Sequence, residues 1–366
     1  MTLTEAEALL EARFCGRMAA ERVPLPAACG RVLAEDLRAG FDLPGFARSA
    51  VDGYALRASD TFGCTESMPA LLRLLGSVEM GRAPAQRLEP GGCVYVPTGG
   101  ALPEGADAVV MLEYAEAFGD SMAIGRPAAP GQHLLLRGED MRAGEPALPA
   151  GRVLQPRDIG VAAALGCETL PVRRRPRAVV LSTGDEVVPV GGRPGGYEIF
   201  DANGPMLAAQ AAACGAEAVY LGVVPDGEDA LEAALRAAAE EADVLLLSGG
   251  SSAGAQDAAE AVLSRLGRLL FHGLALKPGK PTLAADMDGL PVIGLPGHPA
   301  AACMVFHALA RGLILRMLGA RWAEDWRLCR LTQNLPSNHG REELVAVRGE
   351  GEACSPLISK SGLLLP

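Results

Sequence analysis

Lysine is nearly absent from this chain, because only three of its 33 basic residues are Lys and all the others are Arg. Two of the three, Lys277 and Lys280, flank a single Pro-Gly pair in the segment KPGKP. Aromatic residues make up only 4% of the chain, so its cores must be packed mainly with aliphatic and small side chains. Positive charge is also in deficit, and the net charge of −11 excludes a general nucleic-acid binder or a protein that adheres to anionic membranes.

Paired cysteines and an export signal are missing as well. The nine cysteines are scattered and form no Cys-x-x-Cys pair, which excludes the common zinc motifs and a disulfide framework. The first residues, MTLTEAEALLEARF, lack the basic and then apolar pattern of a signal peptide. Reduced thiols and a cytoplasmic location are therefore expected.

Two apolar segments are predicted to be helices. The N-terminal segment has a capping box at Thr4 and Glu7 and an apolar stripe formed by Ala6, Leu9, Leu10 and Phe14. The stretch 301–318 is the most apolar late segment, but it is interrupted by His307, Arg311 and Arg316. It is too polar for a bilayer span, so we predict a core helix and no membrane contact.

The length of the chain and the changes in residue pattern along it together predict several domains. A chain of 366 residues exceeds the size of one ordinary core. Residues 1 to about 40 are expected to be helical. From Phe41 to about Ala150, short apolar runs alternate with Gly- and Pro-rich turns, which is typical of a β-rich domain. The basic segment RRRPR at 173–177 is predicted to be a solvated linker.

After this segment, strand-like and helix-like patterns alternate, which predicts a doubly wound α/β domain of about 140 residues. The predicted strands are AVVLS at 178–182, EAVYLGVV at 217–224, DVLLLSGG at 243–250 and LPVIGLPGHP at 290–299. The predicted helices are GPMLAAQAAACG at 204–215, closed by Gly215, and GEDALEAALRAAAEEA at 227–242. From about residue 325, short strands are expected again.

Ligands of such sheets bind beyond the carboxyl ends of the strands, and the loops predicted there are acidic. They contain Asp185, Glu186, Asp201, Asp226 and Asp257, with Asn203 beside Asp201. Carboxylates gathered at one edge repel one another unless a cation lies among them, and ligands that offer only oxygen favour Mg²⁺ over zinc. These loops therefore predict a site for a hard cation.

Two further loops predict that an anion binds beside the cation. The loop SGGSSAG, which begins with Ser248, Gly249 and Gly250, can bring backbone N–H groups close to a phosphate, and a following helix would add its dipole. Lys277 and Lys280 offer compact positive charges to anionic groups of the ligand. Together with the acidic loops, they indicate a phosphorylated ligand.

Each feature also has a purely structural interpretation. Asp201 and Asp226 could be helix caps. A Gly-Ser loop is often only a loop, and Lys277 and Lys280 could be exposed residues of a turn. His298 is interpreted as structural, because no second His or Cys lies near it in the sequence.

An ordered series of motifs resembles the molybdopterin molybdenumtransferase family, which includes the E domain of gephyrin. The motifs are DLPGFARSAVDGYA at 42–55, PTGGALPEGADAVVMLE at 97–113, LRGEDMRAGE at 136–145, STGDEV, DANGPML, SGGSSAGAQD, KPGKP and GLPGHPAA. The resemblance extends from the first helix to about residue 320.

This resemblance implies both a fold and a reaction. It implies an α/β multidomain fold with an elongated linker domain at 1–41 and 142–176, an inserted β-rich domain at 42–141, a molybdopterin-binding α/β domain at 177–320 and a short C-terminal β-barrel-like domain at 321–366. It also implies an Mg²⁺-dependent enzyme that inserts molybdenum from molybdate into adenylylated molybdopterin and releases AMP. Its expected partners are a second copy of the chain, with a cleft shared between subunits, and molybdopterin adenylyltransferase.

The resemblance assigns roles to individual residues. Catalytic roles are implied for Asp52 and Asp140 from one subunit and for Glu186, Asp226 and Asp257 from the other, and the last three are also the implied metal ligands. Substrate contacts are implied for Thr98, Asp201, Asn203, Ser248, Gly249, Gly250, Lys277, Lys280, Pro296, Pro299 and Arg341. The two lysines would bind the pterin phosphate or molybdate. Ser359 and Ser361 also fall at cleft-facing positions of the family.

The sequence departs from the family in a few places. GLPGHP stands where the family usually has GLPGNP, and SAVDGYA stands where it has SAMDGYA. The family's last domain contains more strands than are expected before Pro366, so the sequence leaves open a non-catalytic molybdopterin-binding or scaffolding homologue. A third interpretation is another enzyme with the same α/β module, such as molybdopterin adenylyltransferase or the competence-damage family. Both of these lack the DLPGFARSAVDGYA domain.

Overall fold

A computed structural model describes residues 1–249, 253–322, 327–337 and 340–357, with the backbone alone for 253–257 and 350. The chain forms two compact units. The first, which we call the α/β unit, comprises Met1–Glu35, Ala150–Pro156 and Thr169–Pro366. The second, which we call the β unit, comprises Asp36–Pro149 and Arg157–Glu168. The boundaries of the four expected domains stay predictions.

Helices occur mainly in the α/β unit. They are α1 Leu3–Arg13, α2 Leu25–Ala28, α3 Pro156–Ala164, α4 Asn203–Ala213, α5 Glu228–Ala239, α6 Ala253–Leu266, α7 Pro299–Val305 and α8 Arg311–Met317. A π-helical turn, Phe306–Ala310, joins α7 to α8, and short 3-10 turns span Ala58–Thr61 and Leu112–Tyr114.

Each unit contains one six-stranded sheet. The sheet of the β unit consists of β1 Gly53–Leu56, β2 Ala70–Ser77, β3 Gly92–Val96, β4 Ala108–Met111, β5 Ala115–Phe118 and β6 Ser121–Ile124. The sheet of the α/β unit consists of β7 Arg177–Thr183, β8 Glu217–Val224, β9 Val244–Ser248, β10 Arg268–His272, β11 Leu283–Met287 and β12 Leu290–Leu295. Shorter strands are Ala20–Pro24, Leu37–Arg38, Arg48–Ser49, Leu134–Leu135, Pro146–Leu148, Thr169–Arg173, Val187–Val188, Ile199–Phe200, Leu276–Lys277, Arg330–Leu331, Glu342–Glu343, Val347–Glu350 and Ala353–Pro356.

The sheet of the α/β unit has the strand order β8-β7-β9-β12-β11-β10. The first four strands are parallel, whereas β11 is antiparallel to both of its neighbours. The four strands predicted from sequence are confirmed. Strands β10 and β11 were not predicted, because segments such as LAADM at 283–287 show no strong period. Because β7, β8, β9 and β12 run in one direction, the loops after them lie at the same edge of the sheet.

Helices cover both faces of this sheet. Ala178 and Val180 of β7 lie in an apolar cluster with α1, α4 and the long helix α7–α8. Val179 and Leu181 alternate with them and lie in a second cluster, which contains buried residues of α5 and α6. A strand that is buried on both faces is typical of a doubly wound sheet, and the predicted α/β fold class is confirmed.

The N-terminal segment is partly helical, as expected, but its boundaries differ. The capping box uses Thr2 and Glu5 rather than Thr4 and Glu7, because the helix begins at Leu3. The predicted stripe is confirmed, since Ala6, Leu10 and Phe14 are buried and Leu9 packs beside them. The expectation of a helical segment to about residue 40 was wrong. Residues 20–24 form a strand that pairs with Thr169–Arg173, and only α2 follows as a short helix.

The segment RRRPR is not a solvated linker. Arg173 donates hydrogen bonds to the carbonyl oxygens of Met18 and Ala34. Arg174 forms two hydrogen bonds of 2.8 Å with the carboxylate of Asp243, which also accepts from the backbone N–H of Arg177. Arg174 and Arg177 therefore fix the start of β7 against Asp243, which lies in the loop before β9.

The late apolar stretch forms the helix α7–α8, as predicted. Its polarity alone does not exclude a bilayer span, contrary to the argument from sequence, because Pro299–Met317 is the one helix in the described residues that is long and apolar enough to cross a membrane by length and composition. Phe306, Leu309, Leu313 and Ile314 are buried in the cluster against the sheet. The prediction of a core helix is confirmed.

The β unit is built on a mixed sheet with the strand order β4-β1-β3-β2-β6-β5. The pair β2 and β3 is parallel, and the other neighbours are antiparallel. One face is covered by a cluster that contains Leu56, Leu72 and Ile124, and the other by a cluster that contains Val94, Val96 and Val109. The expected β-rich region is confirmed.

Candidate functional site

Acidic residues follow β7 and β8 at the predicted edge of the sheet. Asp185 and Glu186 come after β7, and Asp226 comes after β8. The backbone N–H of Asp226 donates a 2.9 Å hydrogen bond to Oδ1 of Asp185. Burial raises the pKa of Asp226, and the negative charges of Asp185 and Glu186 raise it further. This group of carboxylates therefore favours a proton or a cation in its neighbourhood.

The capping interpretation of Asp226 is not observed. Helix α5 begins after Gly227, and no side chain caps its first turn. Asp226 instead uses its backbone to hold the loop after β7.

Asp201, by contrast, acts as a structural residue at the start of α4. It is 4% exposed, and its Oδ1 accepts hydrogen bonds from the backbone N–H groups of Asn203 and Gly204. Its Oδ2 accepts a 2.5 Å hydrogen bond from the hydroxyl of Tyr220. Both oxygens are thus occupied, which favours the capping interpretation over a direct substrate contact.

Asn203 connects three loops of the site. Its Nδ2 donates to Oγ of Ser248 at 2.9 Å and to the carbonyl oxygen of Gly297 at 2.7 Å. Among the described residues, neither its own Oδ1 nor the buried hydroxyl of Ser182 has a hydrogen-bond partner. Buried groups of this kind are uncommon and point to an interaction with a bound molecule or with solvent.

The loop after β9 requires a glycine at position 249. Gly249 has φ +142°, and a Cβ atom there would lie 2.1 Å from Oγ1 of Thr183. The backbone at the end of β9 is therefore in close contact with the end of β7. Gly250 lies outside the described residues, and the side chain of Asp257, near the start of α6, is not described either.

A cleft of about 870 Å³ lies on the α/β unit. It is lined by the segment Leu276–Pro281, by residues 296–298, and by residues of the later segments 333–336 and 341–346. Lys277, Lys280, Pro296 and Arg341 all contribute to it, so four of the predicted substrate-binding residues share one cavity. Pro299 begins α7 beside this cleft and is not one of the lining residues.

The two lysines of the cleft have different surroundings. Nζ of Lys277 lies 2.9 Å from Oε1 of Glu343, which is 12% exposed. This contact forms where the strand Leu276–Lys277 pairs with the strand Glu342–Glu343. The ammonium of Lys280 has no such partner among the described residues and is exposed. Arg341 is also exposed, so within the described lining of the cleft Lys280 and Arg341 are the cations open to an anion.

The predicted residues of the β unit are exposed. Oδ1 of Asp52 accepts a 2.9 Å hydrogen bond from the backbone N–H of Thr98, so these two residues are neighbours. Asp140 is exposed, and its backbone N–H donates to the carbonyl oxygen of Leu43.

The acidic loops fit an open magnesium site better than a closed structural one. Within the described residues, no group of three or more His, Cys, Asp or Glu side chains is arranged to hold a metal ion. Glu186 and Asp226 offer exposed carboxylate oxygens, and their mutual repulsion would be relieved by a cation. Mg²⁺ sites commonly use one or two carboxylates and leave other positions to water and substrate phosphates.

Sequence reasoning missed two residues of the site. Glu343 neutralises Lys277, but its strand is two residues long and carries no local signal. Tyr220 holds Asp201 from the middle of β8, where its side chain looks like any other strand residue. Ser359 and Ser361 lie outside the described residues.

Comparisons with known proteins agree with the motifs. Residues 1–166 match the family model "MoeA N-terminal region (domain I and II)", and residues 179–316 match the model "Probable molybdopterin binding domain". A protein of Mycobacterium tuberculosis named molybdopterin molybdenumtransferase 2 is 36% identical over 335 residues, which are 88% of this chain and 81% of that protein. A molybdopterin molybdenumtransferase of Nostoc is 34% identical over 312 residues, which are 84% of this chain and 71% of that protein.

A solved structure is also similar. The crystal structure of a molybdopterin biosynthesis moeA protein from Pyrococcus horikoshii OT3 superposes with a TM-score of 0.86 at 33% identity, and covers 100% of this chain and 92% of that one. The fold is thus shared over the whole chain. The chain belongs to the molybdopterin molybdenumtransferase family.

Proposed function

We propose that this chain inserts molybdenum from molybdate into adenylylated molybdopterin and releases AMP. Relatives with this transferase name match most of the chain, so the chain is an enzyme of molybdenum cofactor biosynthesis. The observation that best supports the detailed reaction is the cleft that Lys277, Lys280 and Arg341 line together. Three cationic side chains around one cavity suit a pterin phosphate and a molybdate dianion.

The residues of the chain have separate tasks in this proposal. Lys280 and Arg341 bind the anionic groups and stabilise the negative charge that develops when the phosphate–adenylate bond breaks. Asn203 holds the loops after β9 and β12 in position through Ser248 and Gly297. Asp226, whose pKa is raised, is the carboxylate best suited to exchange a proton or to hold a cation.

Magnesium is the proposed cofactor, and Glu186, Asp226 and Asp257 are its proposed ligands. When bound, Mg²⁺ would neutralise charge on phosphate oxygens. The chain's own contribution is to gather the carboxylates after neighbouring parallel strands. Molybdate is a substrate and does not need a resident site.

The remaining assignments rest on the resemblance. We propose a homodimer in which Asp52, Thr98 and Asp140 of one subunit complete the cleft of the other. The four-domain division, a cytoplasmic location and a contact with molybdopterin adenylyltransferase belong to the same proposal.

Turnover of the purified chain tests the reaction. The protein is incubated with adenylylated molybdopterin, Mg²⁺ and molybdate, and AMP is measured. AMP should form only when molybdate is present. Folded protein that binds the pterin nucleotide without forming AMP would instead identify a scaffolding homologue. That alternative is not favoured, because the relatives that match most of the chain are named as transferases.

Subunit mixing tests the shared cleft. When assayed alone at substrate concentrations well below KM, the Asp52→Ala and Lys280→Ala proteins should each retain at most about a tenth of wild-type activity. Mixed under conditions of subunit exchange, they should regain at most about a quarter of wild-type activity, because a heterodimer has one cleft that contains neither substitution. Lack of recovery, with dimers confirmed by sedimentation, would contradict a cleft built from two subunits.

A further inference from the structure

A second cavity lies in the α/β unit, with no lining residue in common with the large cleft. Its volume is about 340 Å³. It is lined by residues from the end of α1, from the segments around Leu33 and Gly151, from the strand Thr169–Arg173 and from the end of α8. No role is assigned to it by the proposed reaction.

The cavity is strongly cationic in a chain whose net charge is −11. Its lining includes the four arginines Arg17, Arg173, Arg316 and Arg321, and Glu11 is the single acidic residue among them. An excess of three positive charges around so small a volume is unfavourable unless water or an anion screens it.

The arginines are only partly satisfied by the protein. Arg316 is 24% exposed, and its nearest carboxylate is Glu11, with Nη1 and Oε2 separated by 3.9 Å. Its Nε and Nη2 are buried and have no hydrogen-bond partner among the described residues. The side chains of Arg17 and Arg321 are exposed, and neither guanidinium has a carboxylate or other acceptor in the described part of the chain. Arg173, in contrast, is bound to backbone carbonyl groups.

Backbone contacts hold the walls of the cavity together. Gly151 donates to the carbonyl oxygen of Leu33 at 2.8 Å and accepts a 2.6 Å hydrogen bond from the N–H of Arg321. Gly151 has φ +82°, and a Cβ atom there would lie 2.7 Å from the carbonyl oxygen of Gly319. The backbones of Gly151 and Gly319 are thus in close contact, with no room for a side chain at position 151.

We propose that this cavity is a binding site for a small doubly charged tetrahedral oxyanion of the phosphate class. Guanidinium groups bind such anions through charge-assisted hydrogen bonds, and buried N–H groups without partners are the donors that such an anion would satisfy. The volume is about ten times the roughly 30 Å³ that a water molecule takes up in the liquid, so an anion and several waters fit. The site is independent of the large cleft and of the proposed reaction.

Titration calorimetry of the full chain with inorganic phosphate tests this site. The Lys280→Ala protein is the parent, so that phosphate binding in the large cleft is weakened, and sodium chloride at matched ionic strength is the blank. Adding Arg17→Ala and Arg321→Ala should weaken phosphate binding at least about tenfold. Adding Arg268→Ala, an exposed arginine outside the cavity, should leave it unchanged.

Lysine variants and a second anion distinguish a loss of binding from a loss of folding. Arg17→Lys with Arg321→Lys should retain more binding than the alanine pair, because the charge is kept, and thermal melts should show that all variants fold. Molybdate, which is also a tetrahedral dianion, is the second probe, and the two affinities show which oxyanion the cavity prefers. Phosphate and molybdate binding that is equal in the parent and the alanine pair, or absent from the folded parent, would overturn the proposal.

Discussion

The ammonium of Lys277 and the carboxylate of Glu343 form an ion pair with 2.9 Å between Nζ and Oε1. The lysine is 52% exposed and the glutamate 12% exposed. One of the two lysines that are so conspicuous in the sequence is thus already neutralised, whereas Lys280 in the same cleft is not. Of the two lysines in KPGKP, Lys277 is therefore paired with a carboxylate, whereas Lys280 is available to bind an anionic ligand.

Replacing Glu343 with Gln should lower the KM for molybdate. The change removes a negative charge beside Lys277, so an anion in the cleft meets a more positive field. We expect the KM for molybdate to fall by about two- to threefold, since one charge near a solvated site changes the binding energy by less than about 1 kcal/mol. Glu342→Gln, an exposed neighbour on the same short strand, is the matched control. A rise in KM would show that Glu343 instead holds Lys277 in its working position.

Replacing Lys280 with Ala should affect binding and leave stability nearly unchanged. The side chain is exposed and has no partner in the described residues, so the free energy of unfolding should change by no more than about 0.5 kcal/mol. The affinity for the anionic substrate should fall about tenfold or more, as expected when a charged hydrogen bond is lost. Denaturant unfolding and substrate titration measure the two effects. A large loss of stability with unchanged affinity would identify Lys280 as a structural residue.

The sequence predicted the α/β sheet well because its central strands are buried on both faces and read as continuous apolar runs. It failed for β10 and β11, where short segments such as LAADM have no strong period. It also failed for Arg174, because a run of basic residues looks the same whether it is solvated or bound to Asp243, which lies 69 residues away. Contacts between distant segments, such as Lys277 with Glu343, have no local signal at all.

The Arg174–Asp243 contact should make stability depend on pH. Burial by itself would raise the pKa of Asp243, but hydrogen bonds from Arg174 and from the backbone of Arg177 outweigh it and lower the pKa. A carboxyl group with a lowered pKa contributes stability above its unfolded pKa of about 3.9, and that contribution is lost as the pH falls through the folded pKa. Arg174→Ala should therefore cost about 1 kcal/mol or less at pH 7 and progressively less at pH values below about 4. Arg175→Ala is the control, because Arg175 is exposed and adjacent. An equal effect of the two substitutions at pH 7 would contradict the assignment.

Gly249→Ala should destabilise the fold strongly. The new methyl group would meet Oγ1 of Thr183 at 2.1 Å, and the backbone has φ +142°. A cost of about 2–4 kcal/mol in the free energy of unfolding is expected from the clash and the backbone strain together. Gly196→Ala, at a position with nothing within 4 Å, should cost much less. If Gly249→Ala melted like the wild type, the close contact between the ends of β7 and β9 would be wrong.

The Asp226→Asn substitution should distinguish two effects at the acidic loops, the protonation of Asp226 and the binding of Mg²⁺. Because burial and the neighbouring carboxylates raise the pKa of Asp226, the folded chain holds this proton to a higher pH than the unfolded chain does. Stability contributed by this group is therefore fully present below its unfolded pKa and is lost as the pH rises through the folded pKa. Without Mg²⁺, the Asn variant should be more stable than the wild type at pH 7, and the difference should disappear below about pH 4.

With Mg²⁺ at ten times its Kd, the wild type should gain about 1.4 kcal/mol in the free energy of unfolding, and the variant should gain clearly less. Thermal melts with and without Mg²⁺ measure both effects, with Asp229→Asn in the first turn of α5 as the control. Equal Mg²⁺ stabilisation of the wild type and the Asp226 variant would remove Asp226 from the proposed metal ligands.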